Sequence, residues 1–378
     1  MPFATMTSSY SEGNRAWYID AYAGPGTYER QAGELNGAPG SPLIALGISR
    51  RLSKFAKPLN LRCIFIEKNA KFAKVLEGIV HAGNFPGEPS VLNGSAESRL
   101  PEAVRSVNND PLLTFLDPFG TSLPRELMIS ALMQRPDKVP NEVLLNFHLG
   151  SVGRIGALLG KPSDLTPEDL KTIARLDIFL GHEDWRDTFL THYKPAVPRS
   201  ATAGALAVAS QFREKVKAET GYESFAIDIR RAVGQAPIFQ LTLFFRHSAA
   251  EYKFADAASV ANAAWRKRVF EDEARKNADD YPDALLQLDF SEAQFEDKWK
   301  RDEIALARGW ETSIQSNLRD LLAAKQTVQV RSHVKEIFGE HLGMAGEKHL
   351  RAAWKALAAD GTANPCPAKI YKEAIVRR

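Results

Sequence analysis

The chain has 378 residues, with 49 Lys and Arg against 46 Asp and Glu for a formal charge of +3, and 44% of it is hydrophobic. That balance excludes a polycation, so any basic surface for nucleic acid must be a local patch. Its two cysteines, Cys63 and Cys366, cannot build a zinc cage or a disulfide framework. With no apolar run of about 18 residues and no basic-then-apolar leader pattern, the expectation is a cytoplasmic protein without membrane contact.

The first informative stretch is Tyr18-Ile-Asp20-Ala-Tyr-Ala23-Gly24-Pro-Gly26. An apolar run ending in an acid and then a glycine turn predicts strand, turn, helix, with the backbone left open to a ligand. Short apolar runs then recur at Trp17–Ala21, Leu61–Ile66, Val91–Leu92, Leu112–Leu116 and Val143–Phe147. Such runs lack polar alternation because a parallel sheet is buried on both faces. Between them Pro42–Phe55, Ala70–His81, Ala96–Val107 and Pro124–Met133 carry helical spacing. The series predicts an α/β, doubly wound Rossmann-like sheet, which brings Asp20, Glu67 and Asp117 to one edge.

From Gly153 to Lys217 the pattern turns helical, broken at Lys161–Thr166 and Tyr193–Ser200, and reads as an insertion spanning about 153–217. Phe225–Ile229 and Ile238–Phe245 then alternate as an antiparallel pair that closes the sheet edge. Domain 1 is thus expected to span residues 1–260. A charged helical connector follows over 261–325, its Glu271–Asp320 stretch reading as a connector or packing arm with a solvated face as the alternative, and a small C-terminal helical, winged-helix-like module over 326–378. In that module Arg331–His341 and Glu347–Ala359 are helical, and its basic residues outnumber its acids, which suits phosphates; a docking module fits the same pattern.

Chemistry concentrates at the strand ends. A dinucleotide loop requires G-x-G-x-x-G and an acid about 20 residues on, whereas this chain offers only Gly24-Pro-Gly26 and then Glu67. A ligand without a pyrophosphate fits better, and S-adenosylmethionine is the expected cofactor. Glu67 is assigned to its ribose hydroxyls, Asp20 with Ala23, Gly24 and Gly26 to its amino acid part, and Ser95 with Ala96 to its adenine. Helix capping explains Asp20, Glu67 and Ser95 as an alternative. At the fourth strand end, Asp117-Pro118-Phe119-Gly120 forms an acid–proline–aromatic corner suited to an exocyclic amine. Asp117 and the carbonyl before Pro118 would accept the amine protons, while Phe119 stacks on the base. Asn146 and Arg154 are assigned to the substrate, and no metal is required. His148 reads more readily as a strand-end polar residue than as a base.

With these residues in place, the chain resembles the three-Cys-motif partner (TcmP) family, a branch of Rossmann-fold S-adenosylmethionine-dependent methyltransferases. The likeness spans most of residues 17–250. It lies in Tyr18-Ile-Asp-Ala-Tyr-Ala-Gly-Pro-Gly-Thr-Tyr28, Gly40-Ser-Pro-Leu-Ile-Ala-Leu46, Phe65-Ile-Glu67, Leu116-Asp-Pro-Phe-Gly120 and Leu144-Leu-Asn-Phe147. It implies a bacterial role beside a companion protein with a three-cysteine motif rather than a settled reaction; methyl transfer to an amine of RNA or DNA is the expectation from the Asp117-Pro118-Phe119 corner. The corner departs from the Asp/Asn-Pro-Pro-aromatic box of amino-methyltransferases, because Phe119 stands where a second proline is usual. An alternative is a non-catalytic adaptor that keeps the fold only to dock the companion.

Overall fold

The computed structural model describes residues 2–28, 37–280 and 292–378. After α1 (Pro2–Thr7), the chain alternates β1 (Arg15–Asp20), α2 (Ser41–Leu52), β2 (Asn60–Glu67), α3 (Ala70–Gly83), β3 (Ser90–Asn93), α4 (Ala96–Val107), β4 (Leu112–Leu116), α5 (Arg125–Met128) and β5 (Asn141–Phe147). Four helices follow: α6 (Leu149–Leu158), α7 (Pro167–Leu180), α8 (Trp185–His192) and α9 (Ser200–Thr220). Then come β6 (Glu223–Ile229) and β7 (Phe239–Phe245). The C-terminal part holds α10 (Ser248–Asp280), α11 (Glu292–Lys325), β8 (Thr327–Gln329), α12 (Val334–Phe338), α13 (Glu347–Ala359) and β9 (Ala374–Val376).

Seven strands form one sheet in the order β3-β2-β1-β4-β5-β7-β6. Pairing is parallel from β3 through β5, and β7 runs antiparallel to both β5 and β6. The expected doubly wound, Rossmann-like sheet is therefore present, with its winding reversing between β1 and β4. That reversal sends the following helices to opposite faces and leaves a crevice outside the strand tips.

Alternation along β1 and β2 serves both faces, as two-sided burial requires. Ile19, Ile64 and Ile66 point into a core with Leu100, Leu132, Phe179 and Phe212. Ala16, Leu61, Cys63 and Phe65 point the other way, onto Leu46, Leu52, Leu76 and Val80 of α2 and α3. The helical insertion supplies much of the first core, with Phe147, Phe179 and Phe212 clustered at centroid distances of 5.4 to 5.9 Å. Its helix α7 opens with a capping box between Thr166 and Asp169.

Contacts divide the chain into two compact units, one of residues up to Arg231 with Gln235–Arg246, the other of His247–Arg378 with Ala232–Gly234. The expected boundary at 260 thus falls inside α10, where Tyr252 is already part of the second core. Within the expected connector over 261–325, α11 has the packing face that the packing-arm reading requires. Trp310, Ile314, Leu318 and Leu322, four residues apart on α11, pack on Ile337, Phe338, Leu350, Trp354 and Ile375. Residues 281–291 of that segment lie outside the described residues. In the second unit β8 pairs antiparallel with β9, and an isolated bridge joins Ala363 to Arg377. Among the described residues no helix is long and apolar enough to cross a membrane.

Candidate active site

The parallel register places Asp20 opposite Phe65 and Phe115, and Glu67 opposite Asn93, so the acids stand at neighbouring strand tips. After β1 the chain keeps pairing briefly, Ala21 N–H donating to Phe115 O and Ala23 N–H to Ile66 O. It then turns through Gly24 (φ +64°) and Gly26 (φ +91°), a left-handed backbone that favours glycine. A Cβ at Gly24 would meet nothing within 4 Å, whereas one at Gly26 would press on Leu76 Cδ1 at 3.0 Å. Gly24 therefore presents open backbone, and Gly26 is held on α3. Gly40 N–H closes the loop by donating to Gly26 O at 2.8 Å, which delivers Ser41-Pro42 as the start of α2.

Glu67 is the pin of this loop. It is 8% exposed; Oε2 accepts Gly24 N–H at 2.8 Å and Oε1 accepts Asn69 N–H at 2.6 Å. The cap of α3 is Asn69, whose side chain accepts from Lys71 and Phe72, so Glu67 is free of capping duty. An ionised carboxylate offers about four lone-pair sites, and two amides leave room for two further donors.

Asp20 differs from expectation in its accessibility. It is fully buried, Oδ1 accepts Tyr22 N–H at 3.1 Å, and Oδ2 has no partner of hydrogen-bonding geometry among the described residues. Burial pushes its carboxyl up to about 6, against the pull of the Ser41 hydroxyl and the Tyr22 amide, and the charges of Asp117 and Glu67 raise it further. The three acids therefore share one electrostatic neighbourhood. With no surface of its own, Asp20 shapes the loop from beneath rather than offering an oxygen to a molecule in the crevice. Ala23 is buried in that loop.

At β3, Asn93 Nδ2 donates to Glu67 O at 2.9 Å, tying the second and third tips. Ser95 is the cap of α4, accepting from Ser98 N–H, and Ala96 is buried behind it. At β4, Asp117 Oδ1 accepts Asn146 Nδ2 at 2.7 Å. Burial lifts the Asp117 carboxyl above the usual carboxylate range, while the Asn146 hydrogen bond and His148 hold it back. Pro118 is buried, and Phe119 beside it is 88% exposed, an unusual place for a large ring. His148 caps α6, its Nδ1 accepting Ser151 N–H at 3.0 Å, and its ring lies 4.5 Å from Phe239. Burial lowers its pKa, and the charge of Arg154 lowers it further. Arg154 is exposed on α6.

Two tyrosines and a serine belong to this neighbourhood without having been singled out. Tyr18 lies beside Asp20, and burial raises its pKa. Tyr22, its hydroxyl buried near Ser122, is raised by burial and by the charges of Glu97 and Asp117. Both tyrosines flank Asp20 in sequence, and Ser41 sits in the Gly40-Ser-Pro helix start, so the signals were present as neighbours of recognised motifs. Among the described residues no group of three or more His, Cys, Asp or Glu is placed to hold a metal.

No protein-family model and no curated protein matches the chain. Solved structures with a similar course include an O-methyltransferase from Bacillus cereus in complex with SAH. It is 11% identical, covers 61% of this chain and 73% of its own, and has a TM-score of 0.29. The O-methyltransferase TomG from Streptomyces achromogenes in complex with SAM is 13% identical, with 61% and 72% covered and a TM-score of 0.29. The methyltransferase domain of bacterial CtHen1 is 10% identical, with 60% and 89% covered and a TM-score of 0.30. Overlaps this loose carry no weight for chemistry, and the fold assignment stands on strand order and register.

Proposed function

We propose that this chain transfers a methyl group from S-adenosylmethionine to an exocyclic amine of a nucleic-acid base, working beside a companion protein with a three-cysteine motif. The observation that carries the reading is the Asp117–Asn146 pair at the tips of β4 and β5, on the same edge as the Glu67–Gly24 loop.

The cofactor fits the residues present. Glu67 keeps two acceptor sites for a ribose diol, and Gly24 leaves its backbone uncovered. Glu67 would hold the ribose, the loop from Ala23 to Gly26 the amino acid part, and the Ser95–Ala96 corner the adenine. When bound, the group supplies an electrophilic methyl on a sulfonium.

Asp117 and its neighbours prepare the amine. An ionised carboxylate only accepts, so the Asn146 amide is fixed with Nδ2 toward Asp117 and its oxygen turned elsewhere. Asp117 Oδ2 remains to accept one amine N–H, which draws the nitrogen lone pair out of conjugation. His148 is unsuited to base work, because its Nδ1 lone pair already accepts the Ser151 amide and burial lowers the basicity of the ring. An amine that attacks as a neutral nucleophile suits this corner better than a hydroxyl that must first be deprotonated. Phe119 offers a bare face for the base, a stack worth about 1–3 kcal/mol, and Arg154 a charge for a phosphate.

The test is a radiolabelled methyl-transfer screen over RNA, DNA and the companion protein. Label entering nucleic acid, and lost in Asp117→Ala, supports the proposal. Label entering only protein overturns the acceptor assignment, and a stable companion complex with no transfer at all favours the adaptor alternative.

A further inference from the structure

The C-terminal unit carries a second candidate surface that owes nothing to the crevice. Helix α13 buries His349, Leu350, Ala353, Trp354 and Leu357 on one side. Its other side shows Lys348, Ala352, Lys355 and Ala359, a single stripe at helical spacing in which both lysines are exposed. The one acid on the helix, Glu347, is turned away into a network with Arg351 (2.7 Å), Lys253 (3.2 Å) and the Tyr252 hydroxyl (3.1 Å).

Arg351 also fastens the following segment to the helix, donating to Pro367 O at 2.9 Å and Ala368 O at 2.8 Å. The exposed Lys369 is thereby held beside α13, with exposed Lys372 beyond it. From Gly361 to Lys372 the chain contains no acid, and Asp360 is tied to Arg319 at 2.7 Å. The order α11, β8, α12, α13, β9, with Ala363 bridged to Arg377, has the outline of a winged helix.

We infer that this unit binds duplex DNA, with α13 in the major groove and the 364–373 segment against the flanking backbone. Lys348 and Lys355 are seven residues apart, about 10.5 Å along the axis. The major groove, about 12 Å wide, admits one helix, and two lysines on one side of α13 can both reach the same phosphate wall. A-form RNA, whose major groove is deep and narrow, does not admit the helix. The other stripe positions, Ala352 and Ala359, are alanines, and Arg351 is committed internally, so no side chain of the stripe reads base edges and binding is sequence-independent.

Fluorescence anisotropy on the full chain, with DNA and RNA duplexes of about two helical turns, tests the inference without any methyl transfer. Removing three phosphate contacts in Lys348→Ala/Lys355→Ala/Lys369→Ala flattens the log–log salt slope by about 2.7. The wild-type chain therefore loses about 40-fold more affinity than the variant between about 50 and 200 mM salt. The matching triple Lys→Arg variant and a control triple, Lys54→Ala/Lys57→Ala/Lys138→Ala, bind like wild type. Failure of the wild type to bind DNA at low salt, RNA bound as tightly as DNA, or an unchanged slope in the alanine triple each overturns it.

Discussion

Glu67→Gln is the sharpest probe of the cofactor loop, because it keeps the size of the side chain and changes only what its end accepts. Both carboxylate oxygens are in use, one on Gly24 N–H at 2.8 Å and one on Asn69 N–H at 2.6 Å. An amide supplies one oxygen and one NH2, so one backbone donor of this nearly buried pair must face another donor. An unsatisfied buried amide costs about 1–3 kcal/mol. Taking about 2 kcal/mol, the melting temperature of a unit this size falls by about 4–8 °C. The same change removes an ionised acceptor from the ribose hydroxyls, a charged hydrogen bond of about 1.5–3 kcal/mol, or about 10- to 100-fold in affinity. Thermal melts and calorimetric titration with S-adenosylhomocysteine read the two effects separately. Unchanged melting would refute the pinned-loop geometry; lowered melting with unchanged affinity would remove Glu67 from the cofactor site while leaving the loop argument standing.

Three further outcomes follow from the same geometry. Asn146→Leu removes the hydrogen bond that favours ionised Asp117, so the carboxyl rises further above its ordinary range; the acid limb of the transfer-rate profile moves to higher pH. Gly26→Ala destabilises more than Gly24→Ala in thermal melts. Both pay about 1–2 kcal/mol for a left-handed backbone, but only the methyl at position 26 also meets Leu76 at 3.0 Å. In the second unit His349 is buried with Nδ1 on Gly346 N–H at 2.9 Å, and burial pushes its pKa down to about 4. The unfolded chain therefore takes up a proton before the folded one, and stability is lost as pH falls from about 6.5 toward 4. His349→Gln keeps an acceptor, and melts followed by Trp310 and Trp354 fluorescence lose that part of their pH slope.

The sheet was legible because two-sided burial writes itself into short, uninterrupted apolar runs. Leu112–Leu116 and Ala96–Val107 were read to the residue, and Phe225–Ile229 with Ile238–Phe245 as an antiparallel edge pair. The strand-tip acids were legible for a related reason, since a charge ending an apolar run must sit where the sheet ends. Side-chain direction was not. Whether Glu67 faces a loop amide or Asp20 lies wholly beneath the turn depends on contacts more than 40 residues apart in the first case and on enclosure by α2 in the second. The capping roles of Ser95 and His148 are chemically identical to ligand-facing roles until the following amides are placed. The boundary near 260 was misplaced because α10 has no breaker there, and the packing face of α11 is diluted by the charges that surround Trp310, Ile314 and Leu318.

The central claim is that Glu67, the glycine loop and Asp117 serve one small molecule and one acceptor at a shared edge. Calorimetric titration of the full chain with S-adenosylhomocysteine, on wild type and Asp117→Ala, tests it most directly. Saturable one-to-one binding to both proteins is expected, with methyl transfer surviving only in the wild type. Absence of binding even at millimolar ligand, or transfer undiminished in Asp117→Ala, would contradict it.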